Sequence, residues 1–139
     1  MSGDFTFTII KPKAVSKGYI GPILSKIQEA GFWVSSLKMI QLTRQEAEKF
    51  YEVHKERPFY GSLVDFMVSG PIVVAVVKKA NAVEEYRKLI GATDPAKAEE
   101  GTIRKLFAES MEANAVHGSD SDENAAIESG FFFGSRERF

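Results

Sequence analysis

The chain contains no cysteine and only two histidines, His54 and His117. The lack of cysteine excludes disulfide scaffolds, thiol nucleophiles and zinc sites built on thiolates. With two histidines, a metal site that needs several imidazoles is not expected. An excess of positive charge is also missing, because 18 lysines and arginines face 19 aspartates and glutamates. This balance argues against non-specific binding to nucleic acid or to a membrane surface.

Long hydrophobic runs are absent too. The longest apolar run, Pro71 to Val77, is far too short to cross a bilayer. The N-terminus lacks the basic, apolar and cleavage regions of a signal peptide. We therefore predict a cytoplasmic protein. Its 139 residues, 44% of them hydrophobic, predict a single domain over residues 1–139.

Several nucleotide-binding and hydrolase motifs do not occur. The chain has no G-x-x-x-x-G-K-[ST], no G-x-G-x-x-G, no G-x-S-x-G and no H-E-x-x-H. If this protein handles phosphates, its side chains must do what backbone amides do in the glycine-rich loops.

Hydrophobic periodicity predicts four strands. Phe5 to Ile9 alternates with threonine, which is typical of a strand with one buried face. We expect a second strand over 32–42 with a bulge at Ser35-Ser36, and a central strand buried on both faces over Ile72–Val77. A short fourth strand is predicted near 115–117, with 131–133 as an alternative or additional strand.

Caps and breakers predict the helices between them. One helix begins between Gly18 and Pro22 and ends at Gly31, and another begins at the Thr43-x-x-Glu46 capping box and runs to the break at Arg57-Pro58. Further helices are predicted over 59–68, from Asn81 to Gly91, from Thr102 to Phe107, and from the caps at 119–121 to about Gly130. The order β-α-β-αα-β-α-β favours the α+β class, with a ferredoxin-like four-stranded antiparallel sheet covered by helices.

The densest polar cluster is Asn114-Ala115-Val116-His117-Gly118-Ser119-Asp120-Ser121. Here a histidine closes a short apolar segment, a glycine allows close approach of a ligand, and a capped helix begins. Glu128 follows eleven residues after His117, so the last helix could place a carboxylate beside the imidazole. The alternative is a histidine in a surface turn followed by ordinary helix caps.

Three basic residues, Lys11, Arg87 and Arg104, adjoin apolar segments that would hold them in place. Guanidinium and ammonium groups suit phosphate oxygens, although each charge could equally be a solvated helix residue. Tyr51 and His54 fall on the apolar stripe of the predicted 43–57 helix. Tyr51 is either a hydroxyl for the site or a core tyrosine, and His54 is predicted to be structural.

Six segments together resemble nucleoside diphosphate kinases in order and spacing. They are Thr8 to Pro12, Arg57 to Tyr60, Ser69 to Val73, Gly91 to Ala96, Gly101 to Arg104, and Asn114 to Ser121. The resemblance covers nearly the whole chain, and its Asn-x-x-His-Gly-Ser-Asp-Ser element is the most specific part. It implies the ferredoxin-like fold, ping-pong phosphoryl transfer between nucleotides, and a phosphohistidine intermediate.

The resemblance also assigns roles by position. His117 matches the phosphorylated nucleophile, while Ser119 and Glu128 match the residues that hold it. The matches to phosphate and ribose contacts are Lys11, Tyr51, Arg87, Thr93, Arg104 and Asn114. Phe59 matches the aromatic residue that stacks on the base, and stacking predicts tolerance of every base. An alternative assigns Phe59 to the core.

Several positions depart from the commoner family pattern: Lys13, Lys17, Glu100 and Met111. The resemblance further implies Mg²⁺ that arrives with the nucleotide phosphates, without a dedicated protein metal site. The partners it implies are nucleoside di- and triphosphates and further copies of this chain, in a hexamer or, as the second choice, a tetramer. We expect no stable nucleic-acid or membrane partner. The weaker alternatives are an RNA-recognition module with an aromatic strand at Gly130-Phe131-Phe132-Phe133, and a non-catalytic scaffold.

Overall fold

The computed structural model describes residues 3–139. Its four strands are β1 (Phe5–Ile10), β2 (Trp33–Ile40), β3 (Ile72–Lys78) and β4 (Val116–Gly118). They form one antiparallel sheet in the order β2-β3-β1-β4. This is the predicted ferredoxin-like arrangement, and the predicted bulge lies between Val34 and Ser36. The short strand β4 therefore lies at one edge of the sheet, beside β1.

Seven α-helices connect or flank the strands in the described chain. They are α1 (Pro12–Ser16), α2 (Ile20–Glu29), α3 (Arg44–Phe50), α4 (Tyr60–Met67), α5 (Ala82–Ile90), α6 (Ile103–Phe107) and α7 (Asp122–Phe132). Short 3₁₀ turns cover Glu52–His54, Pro95–Lys97 and Ser135–Glu137. The Thr43–Glu46 capping box is formed, and the hydroxyls of Thr102 and Ser121 cap α6 and α7.

The sheet has an apolar core on each face. One core packs α2 and α5 on the sheet, and the other packs α3, α4 and the end of α7 on the opposite face. Strand β3 is buried on both faces, as its continuous apolar run predicts. Strand β1 is buried on both faces as well, with Thr6 at 0% and Thr8 at 1% exposure. The expectation of one solvent-exposed face on β1 is wrong, because α5 covers the threonines.

Other elements also differ from the predictions. Helix α3 ends at Phe50, well before Arg57-Pro58, so His54 lies in a 3₁₀ turn and not on the stripe of α3. Residues 131–133 are not a strand, because α7 continues through Phe132. Asn81 precedes α5 in a left-handed conformation and its amide bonds to Glu84, so its side chain does not cap the helix backbone.

Among residues 3–139, no helix is both long and apolar enough to cross a membrane.

Candidate active site

Strand β4 and helix α7 bring His117 and Glu128 together. His117 lies in the middle of β4, opposite Ile9 of β1. The chain then turns through Gly118, Ser119 and Asp120, and the Ser121 hydroxyl begins α7 by accepting a hydrogen bond from the backbone of Asn124. Because α7 folds back across β1, Glu128 reaches the imidazole from the second turn of the helix.

The imidazole is held through one of its two nitrogens. His117 Nε2 lies 2.8 Å from Glu128 Oε1, and the Ser119 hydroxyl donates to the same oxygen over 2.6 Å. An ionised carboxylate only accepts, so Nε2 carries the hydrogen of this bond. The lone pair of the neutral ring then lies on Nδ1. Ser119 is 1% exposed, whereas the His117 side chain keeps 22% exposure.

Aromatic rings surround the imidazole. The ring centroids of Phe50 and Phe7 lie 5.7 and 6.1 Å from that of His117. Tyr51 packs edge-on against Phe50 at 4.9 Å. The Tyr51 hydroxyl is buried without a hydrogen-bond partner among the described residues, and burial raises the pKa of its phenol. Burying a hydroxyl without a hydrogen-bond partner lowers the stability of the fold. A ligand that hydrogen-bonded to the Tyr51 hydroxyl would remove this cost.

Lys11 and Arg104 form a buried positive centre near this cluster. Lys11 follows β1 and is 7% exposed, and its backbone N–H bonds to the carbonyl of Ala115. The pKa of Lys11 is lowered to about 8, mainly by burial and also by the charge of Arg104, while the carboxylate of Glu112 acts in the opposite direction. Arg104 and Lys11 are two cations that share this region with the single carboxylate of Glu112, so the net positive charge favours an anionic ligand.

Arg104 is oriented by two backbone carbonyls. Its guanidinium donates to the carbonyl of Gly91 over 3.1 Å and to that of Val116, next to His117, over 2.9 Å. Burial lowers the pKa of Arg104 to about 10, and Arg87 contributes in the same direction. The Arg104 Nε–H is buried and has no hydrogen-bond partner among the described residues.

A cavity of about 450 Å³ opens between the end of α5 and the start of α6. Its polar lining includes Arg87, Lys88, Thr93, Lys97, Thr102 and Arg104. Four of these side chains are cationic and the cavity also has one carboxylate, that of Glu99, so its net positive lining suits phosphate groups. Gly91 turns the chain here with φ +87°, and a Cβ at this position would lie 2.6 Å from the Thr102 hydroxyl. Glycine is required because any side chain would be strained and would collide.

Asn114 lies at the inner side of the same region. It is 3% exposed, and its amide nitrogen makes a long 3.5 Å bond to the carbonyl of Thr93. Its amide oxygen is buried without a partner in the described chain. Ala115 has φ +74°, an uncommon value for a residue with a side chain. Such strain is typical of functional segments, and here it turns the chain into β4.

Phe59 stands apart from the charged cluster. It precedes α4, is 47% exposed, and its ring lies 5.4 Å from that of His54. This exposure does not fit the alternative that assigns Phe59 to the core. A hydrogen bond from Ser62 to Glu112 ties the start of α4 to the loop that carries Met111, which is 61% exposed.

Sequence reasoning missed several parts of this region. The aromatic lining by Phe7 and Phe50, the carboxylate of Glu112 near Lys11, and the carbonyl partners of Arg104 depend on pairings between distant segments. No local signal predicts them. Among residues 3–139, no three His, Cys, Asp or Glu side chains are grouped as a metal ion requires.

The comparisons with known proteins agree with each other. The family model described as "Nucleoside diphosphate kinase" matches residues 4–138. The chain is 61% identical over its full length to the nucleoside diphosphate kinase of Flavobacterium psychrophilum, with 100% of both chains covered. It is 58% identical to that of Chlorobium luteolum, over 95% of this chain and 94% of the relative.

Solved structures give the same result. The nucleoside diphosphate kinase of Aquifex aeolicus superposes with a TM-score of 0.95 at 41% identity, covering 98% of this chain and 99% of that one. The enzyme of Halobacterium salinarum in complex with CDP gives 0.94 at 33% identity, covering 99% and 92%. The resemblance noted in the sequence is confirmed, and the chain belongs to the nucleoside diphosphate kinase family of phosphotransferases.

Proposed function

We propose that this enzyme transfers the γ-phosphate of a nucleoside triphosphate to a nucleoside diphosphate through a phosphohistidine on Nδ1 of His117. One observation carries the proposal. Glu128 engages Nε2 of His117, which leaves Nδ1 with the lone pair that can attack a phosphate. A neutral imidazole is a competent nucleophile near neutral pH.

The first half-reaction balances without another proton carrier. Nδ1 attacks the γ-phosphorus, the bond from that phosphorus to the bridging oxygen breaks, and the nucleoside diphosphate leaves with the electron pair. The ring gains a positive charge because Nε2 keeps its hydrogen. The Glu128 carboxylate, fixed by Ser119, stabilises that charge. In the second half-reaction a β-phosphate oxygen of another diphosphate attacks, and the phosphorus–nitrogen bond breaks.

The cationic residues neutralise the transferring phosphates. Phosphoryl transfer depends mainly on positioning and on compensation of negative charge. Lys11 and Arg104 serve the reacting phosphate, and Arg87 serves phosphates in the open cavity. Asn114, Thr93 and the Tyr51 hydroxyl offer polar contacts to the ribose and phosphate oxygens. Mg²⁺ would enter as part of the nucleotide substrate and would offset the charge of its phosphates, without a dedicated protein site.

Lys11 gives the enzyme a pH dependence. Its side chain is positively charged below about pH 8 and loses that charge as the pH rises through about 8. We therefore expect kcat/KM to fall in alkaline solution. Unfolding does not explain such a fall. The ordinary pKa of lysine, 10.5, applies in the unfolded chain, so between pH 8 and 10.5 the unfolded state binds more protons than the folded state. The contribution of Lys11 to the free energy of unfolding therefore increases as the pH rises through that window.

The measurement is the pH profile of kcat/KM in wild type and in Lys11→Gln. The variant is expected to be slower at neutral pH and to lack the alkaline limb near pH 8. An unchanged alkaline limb in the variant would assign the titration to another group.

Phe59 provides binding without selection of the base. An aromatic face stacks on any base, worth about 1–3 kcal/mol, and reads none of its edges. We expect Phe59→Ala to raise KM for adenine, guanine and pyrimidine nucleotides by similar factors of about 5 or more. Thermal stability stays near wild type, because the ring is half exposed. A hundredfold preference of the wild type for one base would contradict stacking as the main contact.

The chain is also proposed to form homo-oligomers, with a hexamer favoured over a tetramer by family resemblance. The structure supplies one candidate contact, since β2 is an edge strand. On it, Trp33, Leu37 and Met39 are 62%, 50% and 55% exposed. Open apolar edges of this kind favour pairing with another chain. Light scattering at micromolar concentration is expected to give an oligomer, and a monomer there would refute the proposal.

Two-substrate kinetics test the proposed mechanism as a whole. Initial rates are measured with ATP at several fixed concentrations of a second nucleoside diphosphate. A phosphoenzyme intermediate predicts parallel double-reciprocal lines, since the first product leaves before the second substrate binds. Intersecting lines would indicate direct transfer in a ternary complex. A cytoplasmic location stays a prediction, which fractionation of cells would check.

A further inference from the structure

Behind the imidazole, two buried hydroxyls form a chain that ends on the backbone of His117. The Tyr86 hydroxyl lies 2.6 Å from Thr8 Oγ1, and Thr8 Oγ1 lies 2.8 Å from the carbonyl oxygen of His117. A carbonyl oxygen only accepts hydrogen bonds, so the Thr8 hydroxyl donates its single hydrogen to the carbonyl oxygen of His117. Tyr86 must then donate to Thr8. The direction of the chain is therefore fixed, from Tyr86 through Thr8 to His117.

The ring of Tyr86 contacts the same short strand at the next residue. A Cβ on Gly118 would lie 3.1 Å from Cδ2 and 3.2 Å from Cε2 of Tyr86, so the ring packs directly on the Gly118 backbone. Phe32 holds the ring from another side, edge-on at 5.6 Å. Tyr86 is 0% exposed, and burial raises the pKa of its phenol, so the hydroxyl stays a donor.

Strand β4 needs such support because it is short and lies at an edge. It has three residues and pairs only with β1 in the described sheet. Tyr86 contacts this strand in two ways. Its ring packs on the backbone of Gly118, and its hydroxyl is linked through Thr8 to the carbonyl of His117. Helix α5 also carries Arg87, which lines the candidate phosphate cavity, so one helix links that cavity to the backbone of His117.

Tyr86 and the imidazole lie on opposite faces of the sheet. The His117 ring packs with Phe7 and Phe50 of one core, whereas Tyr86 belongs to the other core. The Tyr86 hydroxyl therefore does not reach Nδ1 or a phosphate bound there. Any effect it has on the reaction must pass through the backbone of β4.

We propose that Tyr86 and Thr8 are positioning residues for phosphoryl transfer, whose hydrogen-bond chain sets the backbone of His117 and thereby the aim of Nδ1. The proposal rests on the proposed function of His117. In-line attack by Nδ1 tolerates little misalignment. If the His117 carbonyl loses its hydrogen bond, we expect the rate of phosphoryl transfer to fall while nucleotide binding is preserved.

The test is the rate of the first half-reaction. Enzyme is mixed with ATP labelled in the γ-phosphate, without an acceptor, and quenched at short times. Tyr86→Phe keeps the ring and removes the hydroxyl, and Thr8→Val removes the other hydroxyl at nearly constant volume. We expect each variant to slow phosphorylation by about three- to tenfold at saturating ATP, with KM for ATP within twofold of wild type.

Strand β1 offers a matched control at Thr6. This threonine is also fully buried beneath α5, but its hydroxyl has no hydrogen-bond partner among the described residues. Thr6→Val is expected to phosphorylate at the wild-type rate. Thr8→Ser, which restores a hydroxyl, is expected to recover most of the rate lost in Thr8→Val. A role in stability alone predicts neither this rescue nor the difference between the two valine variants.

The positioning role is overturned if Tyr86→Phe and Thr8→Val phosphorylate as fast as Thr6→Val, or if Thr8→Ser is as slow as Thr8→Val. Tyr86→Phe decides alone if Thr8→Val does not fold. Failure of the proposed function looks different, because the wild type itself would then carry no label on His117.

Discussion

Replacing His117 by alanine is expected to abolish both the phosphoenzyme and nucleotide-dependent phosphoryl transfer. No other imidazole can substitute, since His54 lies in a 3₁₀ turn beside Phe59. The His117 side chain is 22% exposed and is not itself part of either apolar core, so the variant is expected to fold. Loss of the attacking group removes the covalent route entirely, and turnover should fall by at least about 10⁴-fold.

The matched control is His54→Ala, which removes the other histidine. It is expected to keep the phosphoenzyme, with at most a modest rise in KM because the Phe59 ring loses its neighbour. Labelling that disappears in His54→Ala and survives in His117→Ala would reverse the assignment. Circular dichroism and thermal melts on both variants establish that lost activity does not reflect unfolding.

Arg104→Ala is expected to damage both catalysis and folding. Each charge-assisted hydrogen bond to phosphate contributes about 1.5–3 kcal/mol, so its loss slows kcat/KM by at least about tenfold. The same guanidinium holds the carbonyls of Gly91 and Val116 in a buried setting. Leaving those carbonyls without donors lowers the free energy of unfolding by about 1–3 kcal/mol.

Arg87→Ala separates the two effects. Arg87 is exposed and lines the same cavity, so its loss is expected to slow catalysis by at least about tenfold while the free energy of unfolding stays within about 0.5 kcal/mol of wild type. Lys105→Ala, an exposed neighbour of Arg104 in α6, should change neither quantity. Denaturant unfolding and steady-state kinetics give both numbers. Near-normal turnover in both arginine variants would show that these side chains do not bind the transferring phosphates.

Local sequence patterns were enough to predict many of the strands and helices. The alternation of Phe5 to Ile9, the continuous apolar run of β3 and the Thr43–Glu46 capping box each report on neighbours a few residues away, and each predicted element is present. Where local signals compete, prediction failed. Phe131 and Phe132 suit a strand by propensity, yet they complete α7 because their rings pack with Phe50 and Phe7. Tertiary packing overrides propensity there.

The site was less accessible to such reasoning. The cluster around His117 has a compact sequence, so its resemblance to a known family could be noticed. The bond to Glu128 joins one strand to the following helix and could be anticipated as a geometric possibility. By contrast, Thr8 and Tyr86 are 78 residues apart, and the alternation of β1 pointed to a solvent-facing threonine. Only the helix that covers β1 reveals that this hydroxyl is buried beside the backbone of His117.

The most direct measurement of the central claim is isolation and chase of the phosphoenzyme. The purified enzyme is incubated with MgATP labelled in the γ-phosphate, freed of nucleotide, and divided between acid, base and a second nucleoside diphosphate. Stoichiometric label is expected on His117; it should survive base, be lost in acid, and appear in the γ-position of the new triphosphate when the diphosphate is added. Absence of label, or a label that the diphosphate cannot discharge, would contradict transfer through His117.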